Sequence, residues 1–102
     1  MSNPNPMVGE YCIVRTWSAG VHAGTVVEVI EGGGQGSSVI LENSRRLWSW
    51  QAKAGVALSG VAQNGIVATE SKVDSLNPRH YITGVIELIP ATDAARESIE
   101  NA

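Results

Sequence analysis

The run Thr25-Val26-Val27-Glu28-Val29-Ile30-Glu31-Gly32-Gly33-Gly34-Gln35-Gly36-Ser37-Ser38-Val39-Ile40-Leu41 reads as two β-branched segments joined by a glycine-rich turn. Valine and isoleucine crowd the preceding turn of a helix but pack well on a pleated surface, and glycine supplies the backbone conformations that a tight reversal needs. Residues 25–30 and 38–41 are therefore expected to form a β-hairpin. Upstream, Gly9-Glu10-Tyr11-Cys12-Ile13-Val14-Arg15-Thr16-Trp17 is aromatic and β-branched without a helical stripe, and reads as a strand broken by Ser18-Ala19-Gly20. Downstream lies Asn43-Ser44-Arg45-Arg46-Leu47-Trp48-Ser49-Trp50. Its period of two places Arg46, Trp48 and Trp50 on one face and Arg45, Leu47 and Ser49 on the other.

The remainder of the chain alternates in type. In residues 51–63, Ala54, Ala57, Leu58, Val61 and Ala62 recur at spacings of three and four, which predicts an amphipathic helix ended by Asn64-Gly65. Residues 66–79 read as loop, with one short strand around 66–69 and a break at Asn77-Pro78. Residues 80–89 form a strand stopped by Pro90. Thr92 then caps a last helix, with Asp93 at the positive end of its dipole and Ala95 and Ile99 facing inward. The fold class is α+β: a small, strongly bent antiparallel sheet of five or six strands with two short helices. Residues 1–6, with two prolines and two asparagines, are expected to be a disordered tail, and residues 7–102 a single ligand-binding domain.

Composition narrows the function. The 102 residues are too few for a doubly wound dinucleotide fold or an eight-unit barrel. The net charge of −3 argues against duplex nucleic acid as a partner, because phosphate rails demand a basic face. No apolar run approaches the ~20 residues that span a bilayer, and the polar opening lacks the pattern of a secretory signal, so a soluble intracellular protein with no membrane partner is expected. A single cysteine and two histidines offer neither an internal disulfide nor a ligand cluster with metal-site spacing, and no cofactor is expected. Charged residues make up only 17% of the chain, against ~25% in an ordinary soluble domain, which suggests that some surface is buried in a homo-oligomer.

The glycine turn is not a phosphate loop, since no Gly-Lys-Ser/Thr follows, the G-x-G-x-x-G spacing fails and a strand rather than a helix comes next. Cys12 and Ser18 lie near His22 in sequence, but neither has the context of an activated nucleophile, and no paired carboxylates are legible. The informative segments are Arg15-Thr16-Trp17-Ser18-Ala19-Gly20-Val21-His22 and Arg45-Arg46-Leu47-Trp48-Ser49-Trp50. Guanidinium forks match phosphate oxygens, indoles stack on bases, and a small-residue turn exposes amides to an anion. The competing reading is that the tryptophans fill the core and the arginines extend their stems across it.

Together, Arg15-Thr16-Trp17-Ser18-Ala19-Gly20-Val21-His22-Ala23-Gly24, Ser44-Arg45-Arg46-Leu47-Trp48-Ser49-Trp50 and Ile86-Glu87-Leu88-Ile89-Pro90-Ala91-Thr92 resemble the Thoeris anti-defence family of phage nucleotide sponges. The sequence departs from that pattern at the long glycine turn and at Ala23, where an aromatic is common. The resemblance implies a non-enzymatic protein in the cytoplasm of an infected bacterial host. It would sequester a cyclic ADP-ribose isomer unchanged between subunits, as a dimer or a trimer of dimers, and some family members also bind the cyclic di- or trinucleotides of CBASS signalling. Carried over by motif, the ligand-binding residues would be Arg15, Ser18, Ala19, Gly20, Val21 and His22, then Arg45, Arg46, Trp48 and Trp50, with Arg96 on the last helix. The alternative is a small phage structural or partner-binding module without a nucleotide ligand.

Overall fold

The computed structural model describes residues 6–18, 20–31, 37–53 and 58–102. Five strands, β1 (Tyr11–Thr16), β2 (Val21–Ile30), β3 (Ser37–Ser49), β4 (Lys72–Val73) and β5 (Asn77–Pro90), form one antiparallel sheet, and two helices, α1 (Leu58–Asn64) and α2 (Asp93–Glu100), pack beside it. The order is β2-β1-β5-β3-β4, and an additional β2–β3 pairing joins the first strand of that order to the fourth. Four strands therefore close into a ring, with β4 appended to β3. The α+β class and the bent sheet with two helices agree with the sequence reading, and the described residues form five strands.

Two apolar clusters lie on opposite sides of the ring. Cys12, Val14, Val26, Val39, Leu41, Ile82 and Val85 come from all four ring strands and from neither helix, so they fill its inside. Tyr11, Ile13, Ala23 and Leu47 point the other way and meet Val61 and Ala62 of α1 and Ile99 of α2. In β1 alternate residues serve alternate clusters, so the strand is apolar at every position from Tyr11 to Val14, all of them buried. Burial also pushes the Cys12 thiol up to about 11, as befits a packing residue.

Closing so short a sheet requires sharp bends, and β-bulges provide them. Between the pairs Ala23↔Arg45 and Thr25↔Glu42, β3 advances three residues while β2 advances two. The extra residue falls at Asn43, which adopts φ 52°, a left-handed conformation asparagine tolerates better than most residues. A second bulge, in β2, follows between Val26 and Glu28. Opposite the first, the β2 backbone approaches β3 so closely that a Cβ on Gly24 would lie 2.8 Å from Ser44 Cβ and 3.0 Å from Ser44 Cα.

Several sequence boundaries move, each for an identifiable reason. The segments expected at 38–41 and 43–50 are one continuous strand, because the bulge at Asn43 bends the ladder without ending it. The hairpin between residues 25–30 and 38–41 is present, while residues 32–36 of its turn lie outside the described residues. The first helix does not begin at Gln51. There the Gln51 carbonyl accepts Val67 N–H at 2.8 Å and Ala52 bridges Ile66, which commits this backbone to an extended pairing. Ala54 and Ala57 lie outside the described residues, whereas Val61 and Ala62 are buried as the periodicity predicts. The expected strand at 66–69 is replaced by a 3₁₀ turn over Ala68–Glu70 followed by β4. The last strand starts at Asn77, which already pairs with Ser44, and runs through Pro78, which lies between that pair and Glu42↔Arg79, opposite the bulge residue Asn43. The final helix agrees with expectation: Thr92 Oγ1 accepts the Ala95 N–H at 3.2 Å, and Ala95 and Ile99 are buried. Of the tail, residues 1–5 lie outside the described residues.

Gly24→Ala tests the closure directly. The added methyl meets Ser44 Cβ and Cα and the Glu42 carbonyl, none of them a flexible side-chain end, so we expect a loss of about 1–3 kcal/mol and a Tm lowered by roughly 5 °C or more. An unchanged Tm would contradict the close approach of β2 to β3.

Candidate functional site

Along the inner side of the ring, the residues change from apolar to polar toward one mouth. On β2 the alternation Val26, Gly24, His22 runs outward from the inner cluster, and on β5 His80 lies two residues from Ile82. On β3 the bulge brings Ser44 and Arg46 to the same place. These four residues, with Asn77 and with Asp74 and Ser75 from the β4–β5 connection, line a cleft of about 180 Å³. The two imidazoles meet edge to face, with ring centroids 5.0 Å apart. Ser44 is fully buried, and its Oγ has no hydrogen-bond partner among the described residues. A buried hydroxyl without a partner is costly in an apolar setting, and this one lies in the wall of a polar cleft.

Arg46 and Trp48 form the rim. The guanidinium carbon of Arg46 lies 3.7 Å from the Trp48 ring centroid, a cation–π stack in which the indole remains 58% exposed. The same guanidinium lies against Gly20, where a Cβ would come within 2.8 Å of Arg46 Nε and Nη2. Thr16 Oγ1 holds this turn by donating to the Gly20 carbonyl at 2.7 Å. On the other side, Trp48 Nε1 donates to Asp74 Oδ2 at 3.2 Å and Ser75 N–H donates to Asp74 Oδ1 at 3.1 Å. The Trp48 indole N–H, followed by the Ser75 amide, holds the Asp74 carboxyl below the usual carboxylate range.

Gly20, His22, Arg46 and Trp48, all named from sequence, thus gather at one mouth, and the others are distributed elsewhere. Arg45 lies on the opposite face, where it bonds backbone carbonyls of α2, of Ala102 just beyond it and of β4. Trp50 departs from the expected face. β3 ends at Ser49 after a register shift beyond Leu47, so the alternation lapses and the indole packs with Leu47 on the helix side. Arg96 lies over Tyr11, its guanidinium carbon 5.0 Å from the ring, and pairs with Glu100 at 3.3 Å. Burial, with the Glu100 charge, pushes that tyrosine up to about 12. Arg15 is exposed and reaches Glu87 at 3.8 Å, Val21 packs on the helix side, Ser18 is exposed, and Ala19 lies outside the described residues.

Ser44, Asp74, Ser75, Asn77 and His80 were not legible as site residues. His80 carried a usable signal, since it alternates with Ile82 in a segment expected to be strand. Asp74 and Ser75 carried none, because their connection was expected to be loop and only its pairing beside β3 brings them to the mouth.

The Asp74–Trp48 bond has a defined acid limit. A depressed folded-state pKa means that ionised Asp74 stabilises this arrangement at and above the ordinary carboxylate range, and that the contribution is lost as pH falls through the lower folded value. In an acid titration the Trp48 indole N–H resonance should hold its position to below pH ~3.9 and then move, with no such transition in Asp74→Asn. A midpoint at or above ~3.9 would show that the carboxylate is not held.

Neither a search of curated proteins nor a search of solved structures finds a match to this sequence. Residues 9–99 match a family described as a domain of unknown function (DUF6948), a span that takes in every ring strand, α1, all but the last residue of α2 and every residue of the cleft. The chain belongs to the DUF6948 family.

Proposed function

We propose that this protein binds a small phosphorylated nucleotide at the polar mouth and releases it chemically unchanged, in the manner of the nucleotide sponges its motifs resemble. The observation that carries this reading is the Arg46–Trp48 stack at the rim of a cleft with an unpartnered buried hydroxyl, Ser44 Oγ. Arg46 supplies a charge-assisted fork for phosphate oxygens, Ser44, Asn77 and the imidazoles supply polar partners, and the open face of Trp48 supplies a surface for a base. The cleft is smaller than the ~300 Å³ at which whole-ligand pockets begin, so it takes one phosphate or ribose portion and the rest of the ligand lies over the rim. A cyclic ADP-ribose isomer fits this division and is the ligand we assign, with cyclic di- or trinucleotides as further candidates.

Sequestration rather than turnover is supported by the position of the sole thiol, buried inside the ring with its pKa pushed up to about 11, away from any role as a nucleophile. The exposed indole of Trp17, 75% accessible, and exposed Ile86, together with the low charge fraction, support a homo-oligomer. Among the described residues, no helix is long and apolar enough to cross a membrane. The setting we assign is the cytoplasm of an infected bacterial host. The second reading, a partner-binding module without nucleotide, is favoured by one fact: three of the named residues make their contacts away from the mouth, Arg45 on backbone carbonyls, Trp50 against the helix-side cluster and Arg96 with Glu100.

Calorimetry with cyclic ADP-ribose isomers distinguishes the two. Arg46→Ala should cost ~2–4 kcal/mol of binding with little change in Tm, because it removes the charged partner from a partly desolvated site. Chromatography of heat-released ligand should return the input compound. Binding that is absent in the wild type or indifferent to Arg46→Ala would sink the nucleotide reading, and a cleaved product would sink sequestration. Light scattering at micromolar concentration should give a multiple of 10.7 kDa, and a mass of 10.7 kDa would refute assembly.

A further inference from the structure

The arginine next to the rim arginine faces away from the cleft, yet its hydrogen bonds lead back to it. Arg45 Nη1 donates to Ile99 O, in the last turn of α2, and to Ala102 O, two residues beyond the helix, each at 2.8 Å. Its Nε donates to the Asp74 carbonyl at 2.7 Å, and Nη2 reaches the Val73 carbonyl at 3.4 Å. One planar fork thus joins two pieces of chain far apart in sequence. The α2 side of the contact is favourable in its own right, since the last carbonyls of a helix lack intrahelical donors and carry the negative end of its dipole.

The β4–β5 side bears on the cleft. Asp74 is gripped on both sides of its backbone, its N–H donating to the Arg46 carbonyl at 2.8 Å and its carbonyl accepting from Arg45 Nε. Its carboxylate, aimed at the rim, accepts the Trp48 indole N–H, and Trp48 lies under the Arg46 guanidinium. A continuous path runs from the end of α2 through Arg45 and Asp74 to the stack at the mouth.

We infer that Arg45 is a positioning residue: it clasps the Asp74 backbone to the end of α2 and thereby holds Trp48 and Arg46 in their stacked arrangement at the cleft. It touches no ligand. Lysine cannot replace it, because an ammonium is a point donor that cannot serve the Asp74 carbonyl and the end of α2 from two edges of one rigid plane. The clasp itself follows from these distances alone, and only its effect on affinity rests on the nucleotide-binding reading.

The test uses the full ¹⁵N-labelled chain, with the Trp48 indole resonance assigned by its disappearance in Trp48→Phe. In Arg45→Lys the Trp48 Nε1–H should shift toward its position in Asp74→Asn and exchange with solvent about fivefold faster than in the wild type, while the Trp50 indole is unmoved. A folded Arg45→Lys protein whose Trp48 indole neither shifts nor exchanges faster would overturn the inference. Should Arg45→Lys fail to fold, the wild type decides. A through-hydrogen-bond coupling from Arg45 Nε–H to the Asp74 carbonyl carbon is expected, and a rapidly exchanging Nε–H without that coupling would refute the clasp. Affinity for cyclic ADP-ribose should weaken about fivefold in Arg45→Lys. If the wild type binds no nucleotide, the function proposed above fails while the indole and Nε–H measurements still judge the clasp.

Discussion

A single extra residue in β3, Asn43, decides which of two adjacent arginines reaches the mouth of the ring. In an unbroken strand Leu41 and Leu47, six residues apart, would share a face, yet Leu41 belongs to the cluster inside the ring and Leu47 to the cluster under the helices. The bulge inverts the alternation, so Ser44 and Arg46 line the cleft while Arg45 turns outward toward α2. The inversion needs a residue that accepts φ 52° at Asn43 and a partner strand without a side chain at Gly24. Cleft, rim stack and helix clasp all depend on that local geometry.

The ring explains why so small a chain can support a polar site. Four strands closed on themselves leave fewer backbone edges to protect, and a short β1, buried on both faces, serves two apolar clusters at once. The inner cluster is built from medium-sized aliphatic side chains, and the tryptophans are left out of it. Two of the three indoles are therefore exposed, and only Trp50 packs against a core cluster. The aromatic-core reading applies to Trp50 and not to Trp48.

Much of the fold was legible where chemistry is local. The β-branched hairpin, the Thr92 cap and the inward positions Ala95 and Ile99 follow from short-range pattern, and the structure contains them. Period two correctly separated Arg45 from Arg46 within residues 43–49, though it could not say which side faced the interior, because that depends on Asn43. The misplacements come from long-range pairing. Residues 51–53 were expected to be helical, but residues 65–67 hold them extended, and residues 77–79 were assigned to loop although β3 recruits them into β5. The cleft was half legible for the same reason: β2 and β3 announced His22 and Arg46, while Asp74 and Ser75 arrive by a pairing that no local pattern encodes.

The site proposed for the ligand is this mouth and not the helix face. Mapping amide and side-chain resonances of the labelled protein during titration with cyclic ADP-ribose tests that placement. It predicts saturable shifts concentrated at His22, Ser44, Arg46, Trp48, Asn77 and His80, with Trp50 and Arg96 unaffected. Shifts confined to α2 and Trp50, or none at saturating ligand, would contradict it.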